Sequence, residues 1–168
     1  MKDLIHVTHE SIPLFVNPDS RVLILGSLPS VKSREDGFYY AFKRNRFFLV
    51  LASLFNEDEP VTIEARKEFL KRHNIALYDV IYECDIHGSS DSSITNVKVI
   101  DIKSILEKYP SIKVVGINGG KAKELFDKYL LKDIPSNVKV IYLPSTSPAN
   151  ARMNVSELKE HFSKLFIK

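Results

Sequence analysis

Four short aliphatic runs, at residues 22–25, 75–81, 112–117 and 138–143, set the tightest limit on what this chain can fold into. None alternates apolar with polar residues, so each reads as a strand covered on both faces, the condition of a parallel sheet. Helical patterns lie between them. Residues 46–55 are apolar nearly all round and predict a buried helix, while 62–72 and 102–109 are more amphipathic. Between 121 and 130, Ala122, Leu125, Phe126, Tyr129 and Leu130 recur at i, i+3, i+4, i+7 and i+8. Asn154-Val155-Ser156-Glu157 resembles a capping box with Asn in first place. Behind it, Val155, Leu158, Phe162, Leu165 and Phe166 form a stripe to be buried. This alternation predicts right-handed crossovers and an α/β fold, a three-layer α/β/α sandwich around a central four-stranded, mostly parallel sheet. No repeat, low-complexity tract or linker interrupts the 168 residues, so one domain over 1–168 is expected.

Ligands of such sheets bind beyond the carboxyl ends of the strands. That rule gathers residues 26–30, the stretch after 81, residues 118–120 and residues 145–152 at one rim. In Gly26-Ser27-Leu28-Pro29-Ser30 the glycine permits a sharp turn and the proline stiffens it, leaving backbone N–H groups free to face a substrate. The aromatic cluster Phe38-Tyr39-Tyr40 offers a flat surface for a heterocycle, although such rings pack loops and cores equally well. Asn45, at the mouth of the apolar helix, is a favoured N-cap residue. Ser145-Thr146-Ser147-Pro148-Ala149-Asn150-Ala151-Arg152 carries hydroxyls and amides that can grip phosphates, with a compact tip able to enter a gap in a base stack. The plainer alternative is a surface loop leading to the Asn154 cap. Asn118-Gly119-Gly120-Lys121 is not a phosphate loop: Val115 stands where its first glycine belongs and Ala122 where Ser or Thr must hold magnesium. The amides of this turn remain able to meet a DNA phosphate.

Taken together, the 21–30, 37–48 and 143–152 segments resemble the signature segments of the uracil-DNA glycosylase superfamily, in particular its hypoxanthine-DNA (deoxyinosine) glycosylase branch, with the likeness extending over residues 20–166. The resemblance implies site roles. Leu28 occupies the place of the water-positioning amide in the Gly-Ile-Asn-Pro-Gly loop of mismatch-specific members, and the catalytic amide carried over by position is Asn45. Tyr40 aligns with the aromatic that stacks on the base, in a pocket with Gly26, Ser27 and Leu28. Asp79, near the end of the second strand, is placed to accept a hydrogen bond from a purine ring N–H or to hold the following loop together. Ser145, Thr146, Ser147, Pro148, Ala149, Asn150 and Arg152 are expected on the DNA. Phe42-Lys43 replaces a His-Pro pair and Phe48 a tryptophan. His87, Ser89, Ser90 and Asp91 fall in a polar 82–93 loop with no assigned role. The activity implied is that of a monofunctional DNA N-glycosylase excising deaminated bases, hypoxanthine first, then uracil or xanthine. It flips the base out, hydrolyses the bond to the sugar and leaves an abasic site, with no lysine assigned to attack the sugar. Its partner is DNA containing deaminated bases, and no cofactor or metal is implied.

Charge and composition narrow the rivals. A net charge of +3 permits a polyanion partner without requiring one. Five basic residues (Lys32, Arg34, Lys43, Arg44, Arg46) outnumber two acids (Glu35, Asp36) in one segment, a local patch suited to phosphate. No apolar run reaches the roughly 20 residues that cross a bilayer, and the N-terminus lacks signal-peptide features. Cys84, the single cysteine, excludes an internal disulfide and reads as core filler in a reducing cytoplasm, the expected location. The five histidines show no zinc-ligand spacing, and His6 and His9 fall in an expected terminal segment. A serine hydrolase built on Ser27 lacks its usual late Asp-x-x-His, since His161 sits on an apolar helix stripe. A non-catalytic nucleotide or nucleic-acid binding module is the other rival.

Overall fold

The aliphatic runs do form a sheet. The computed structural model describes residues 4–87 and 93–167; Ser89, Ser90 and Asp91 lie outside the described residues. In chain order the elements are β1 (Leu4–Thr8), β2 (Val22–Gly26), α1 (Val31–Asp36), α2 (Phe47–Leu54), α3 (Ile63–Arg72), β3 (Ile75–Asp79), β4 (Ile81–His87), β5 (Thr95–Val99), α4 (Ile102–Lys108), β6 (Val114–Asn118), α5 (Gly120–Tyr129), β7 (Lys139–Leu143) and α6 (Val155–Ser163). Strands β3, β2, β6 and β7 pair in that order, all parallel. Their register sets Gly26 opposite Asp79 and Asn118 opposite Leu143, so the carboxyl ends finish level along one rim.

Alternate residues of each strand feed opposite faces. Val22, Ile24, Ile75 and Leu77 pack under Phe47, Phe48, Leu51, Phe69, Leu70, Leu158 and Phe162 of α2, α3 and α6. Leu23, Leu25, Ala76, Val115 and Ile117 face Ile102, Leu106, Leu125 and Phe126 of α4 and α5. Burying each such large side chain contributes about 1.5–3 kcal/mol. The helix ends follow the sequence: Thr62 caps α3, Asp101 caps α4, and the Asn154/Glu157 capping box opens α6 with both reciprocal bonds made.

Two expectations change. Residues 75–81 are not one strand: β3 ends at Asp79, and Ile81 begins β4, which runs to His87 through residues read as polar loop. Strand β4 is the centre of a second, antiparallel sheet in the order β1-β4-β5, which pattern reading missed because only its inner residues, such as Val7, Cys84 and Ile86, are buried. The N-terminal segment is accordingly no loose tail. Cys84 sits in the core, where burial pushes its thiol pKa up. Among the described residues no helix is long and apolar enough to cross a membrane.

Candidate functional site

At the level rim lies a cavity of about 260 Å³, walled by Gly26, Ser27, Leu28, Tyr40, Phe42, Asn45, Asp79, Asn118 and residues 145–148. It falls just below the roughly 300–1,000 Å³ of pockets for drug-sized ligands, a size for one ring system rather than a nucleotide. Of the residues expected at the site, Gly26, Ser27, Leu28, Tyr40, Asn45, Asp79, Ser145, Thr146, Ser147 and Pro148 all meet here. Ala149 and Asn150 line an adjoining depression with Gly119, Gly120 and Lys121, while Arg152 is exposed and lines neither.

A chain of hydrogen bonds fixes two carboxamides. The backbone N–H of Phe47 donates to Asn45 Oδ1 at 3.0 Å, which settles which atom of that amide is oxygen. The Thr146 hydroxyl donates to the same oxygen at 2.8 Å, so its single proton is spent. Thr146 Oγ1 therefore accepts from Asn118 at 3.3 Å, and the Asn118 atom facing it is Nδ2, which also donates to the Tyr40 hydroxyl at 3.3 Å. The consequence is a defined polarity at the cavity. Asn45 keeps its Nδ2 donors unused among the described residues, and Asn118, 9% exposed, keeps a buried Oδ1 acceptor with no partner. An orphaned buried acceptor costs about 1–3 kcal/mol. The N-cap of α2 is Arg46 rather than Asn45, because the helix starts one residue later than expected; Asn45, just ahead of the cap, accepts the Phe47 N–H and lines the cavity.

Tyr40 lies flat on Phe47, centroids 3.8 Å apart and planes 8° apart, with its backbone in the left-handed region at φ 52°. That conformation costs an L-residue about 1–2 kcal/mol, offset here by the stack and the Asn118 bond. Burial and the nearby Asp79 charge push the Tyr40 phenol pKa up, so the hydroxyl stays neutral. Phe47 covers one ring face, and Tyr40 contributes to the cavity wall as well.

Asp79 is 4% exposed. Its Oδ2 is 2.9 Å from His9 Nε2, and His9 Nδ1 is 2.7 Å from the Ile12 carbonyl oxygen. Its Oδ1 lies against Gly26, where any Cβ would approach to 2.6 Å; glycine is required there by close approach, not by dihedral angle. At Gly119 the requirement is conformational, φ 103°, as the chain turns from β6 into α5 beside Ser145.

At the 145–153 loop two residues depart from expectation, one in the loop and one packed against it. Thr146, read as one of the strand-gripping hydroxyls, is 1% exposed and belongs to the carboxamide chain instead. Arg46, counted in the basic patch, turns its guanidinium into the loop, donating to the carbonyls of Met153, Ser147 (3.1 Å) and Asn150 (2.9 Å), while its N–H reaches the Thr146 carbonyl. Lys32 pairs with Asp36 at 3.2 Å. Lys43, Arg44 and Arg152 are exposed. Ser145 and Ser147 accept N–H bonds from Ser147 and Ala149, which leaves both hydroxyl protons to donate outward. Ser27 has no histidine partner among the described residues: both nitrogens of His9 are engaged, and His161 lies on α6. The hydrolase reading lapses.

Sequence reasoning passed over three residues here. Asn118 carried a signal, a polar side chain closing an otherwise buried strand, but only the amides of its turn were considered. His9 carried none, since its partner is 70 residues away. Arg46 was visible only as a charge.

Comparison with known proteins identifies the family. Residues 13–168 match the family model of the uracil DNA glycosylase superfamily. A hypoxanthine DNA glycosylase of Methanosarcina acetivorans is 32% identical over 149 residues, 88% of this chain and 92% of that protein. One from Methanosarcina barkeri is 30% identical over 144 residues, 85% and 89% of the two chains. The fold matches the solution NMR structure of a candidate uracil DNA glycosylase from M. acetivorans with a TM-score of 0.77 at 29% identity, covering 93% of this chain and 97% of that one. With the family model matching residues 13–168 and two relatives 30% and 32% identical over 85% and 88% of the chain, this chain belongs to the uracil DNA glycosylase superfamily.

Proposed function

We propose that this protein is a DNA N-glycosylase that removes deaminated bases, hypoxanthine foremost, from DNA. The observation that carries the reading is the polarity of the cavity: a stacking ring (Tyr40), an acceptor (Asp79 Oδ1) and a free amide donor (Asn45 Nδ2) on one small slot. Hypoxanthine offers a ring N–H beside a carbonyl, which answers an acceptor beside a donor; uracil and xanthine share that pair. The base must leave the duplex to reach the slot, at a cost of a few kcal/mol for unstacking. Stacking on Tyr40 returns about 1–3 kcal/mol of it. Lys43, Arg44, Ser145, Ser147 and Arg152 supply phosphate contacts, and the 148–150 tip fills the vacated stack.

The C1′–N9 bond breaks with its electrons passing to the base, through an oxocarbenium-like state. Water adds its oxygen to C1′, one of its protons ends on the purine, and the products are free base and an abasic sugar. The Asn45 amide oxygen is held by Phe47 and Thr146, so its role is donation from Nδ2 to the departing base or to the attacking water. Such a donor, aimed where charge develops, is worth on the order of 10²–10³ in rate. The enzyme acts on cellular DNA in the reducing cytoplasm. The test is alkali cleavage and free-base detection after incubation with an inosine-containing duplex. Wild-type protein should release hypoxanthine and leave an alkali-labile site, and Asn45→Ala should lose about 10²–10³-fold in single-turnover rate while remaining folded. Binding without release would assign a recognition module instead.

A further inference from the structure

We infer that His9, which does not line the cavity, is a positioning residue that fixes Asp79 as an obligate hydrogen-bond acceptor and thereby makes the pocket select bases carrying a ring N–H. The inference rests on the glycosylase reading of that pocket. The Ile12 carbonyl, 2.7 Å from His9 Nδ1, can only accept, so Nδ1 holds a proton. The other nitrogen, Nε2, faces Asp79 Oδ2 at 2.9 Å, and a proton bridges the two atoms. On either atom that proton occupies the Oδ2 side of the carboxyl group. Oδ1, at the cavity wall against Gly26, is left bare.

The consequence is chemical selectivity. A carboxyl this deeply buried without a partner tends to take up a proton, and a protonated Oδ1 would donate to a bare ring nitrogen. Adenine presents a bare N1 beside an amino group; hypoxanthine presents N1–H beside a carbonyl. With His9 in place, Oδ1 accepts from the second and repels the first.

The surroundings keep the bridge dry. His9 is 2% exposed, with the Tyr78 ring edge-on at 4.8 Å and the Tyr39 and Tyr82 rings stacked at 6.1 and 6.4 Å. Among the described residues the titratable groups facing the pair are these three phenols and Tyr40. Burial works against a charge on His9, but the hydrogen bond and charge of Asp79, helped by Ile12, outweigh it and raise its pKa above the ordinary histidine value. The β1–β4 pairing delivers the ring, and the His9 backbone N–H then donates to the Tyr82 carbonyl at 3.0 Å.

The experiment measures single-turnover release of hypoxanthine from an inosine duplex across pH for wild type, His9→Phe and His9→Gln. Wild type should excise at an even rate across neutral pH. His9→Phe should lose rate at neutral pH, about tenfold, and recover as pH increases and the acceptor is restored. His9→Gln, whose amide N–H can reach Oδ2, should recover most of the neutral-pH rate. Losses equal at every pH, with Gln no better than Phe, overturn the inference. If His9→Phe does not fold, NMR of the wild-type protein decides: a slowly exchanging proton on the His9–Asp79 bond supports the bridge, and an imidazole titrating at the ordinary value near 6.5 overturns it. Failure of wild type to release any base sinks the glycosylase reading and the inference with it, whereas an active wild type with an unaltered His9→Phe pH profile sinks the inference alone.

Discussion

Thr146→Val probes the carboxamide chain with the smallest possible change. Valine keeps the shape of a side chain that is 1% exposed and removes only the hydroxyl. Two bonds go, the 2.8 Å donation to Asn45 Oδ1 and the 3.3 Å acceptance from Asn118 Nδ2. Neither partner is stranded, because Asn45 Oδ1 keeps the Phe47 N–H and Asn118 Nδ2 keeps the Tyr40 hydroxyl. The stability loss should therefore be that of two ordinary bonds, about 1–3 kcal/mol, or a melting point lower by roughly 2–4 °C per kcal/mol for a chain of this size. The effect on rate should exceed the effect on fold. Each amide then turns about a single remaining bond, and a displacement near 1 Å at a reacting centre can cost about 10²-fold. We expect single-turnover excision from inosine duplex to fall about 10- to 100-fold, with Thr146→Ser close to wild type. Urea unfolding run alongside separates the two effects. A Thr146→Val protein that excises at the wild-type rate would show that the chain does not orient the amides.

Two further substitutions test neighbouring features. Gly26→Ala puts a Cβ 2.6 Å from Asp79 Oδ1, so the carboxylate must move; stability should drop by about 1–3 kcal/mol, and excision should collapse while duplex affinity, measured by fluorescence anisotropy, holds. Unchanged excision would remove Asp79 Oδ1 from the pocket's work. Arg46→Lys replaces a planar fork serving three loop carbonyls with a single ammonium; it should cost about 2–3 kcal/mol in urea unfolding and speed amide exchange in the 145–153 loop, and wild-type exchange there would contradict the clamp.

How much of this could be read from the sequence depends on how local each feature is. Strands β2, β3 and β6 are buried almost throughout, and edge strand β7 keeps Ile141 and Leu143 buried though Lys139 and Tyr142 are exposed, so aliphatic runs betray all four, and the Asn154/Glu157 cap announces itself within four residues. Strands β1, β4 and β5 are covered on one face only and rich in charge, as in His6 against Glu83 and Asp85, and their pairing spans the chain. Asn45, Tyr40 and Asp79 were legible because the rim rule and the family likeness point to the same loops. The partners that give them their chemistry were not, since Thr146, Asn118 and His9 reach them across 70 to 101 residues. Arg46 shows the limit of counting charges: a guanidinium bonded to carbonyls is spent on the protein rather than offered to phosphate.

The central claim is that an everted base occupies the slot beside Asn45, and a crystal structure of the Asn45→Ala variant bound to an inosine-containing duplex tests it most directly. The account predicts hypoxanthine out of the stack, lying on Tyr40 with N1–H within hydrogen-bond reach of Asp79 Oδ1. An inosine left paired in the helix, or a base seated away from Tyr40 and Asp79, would contradict it.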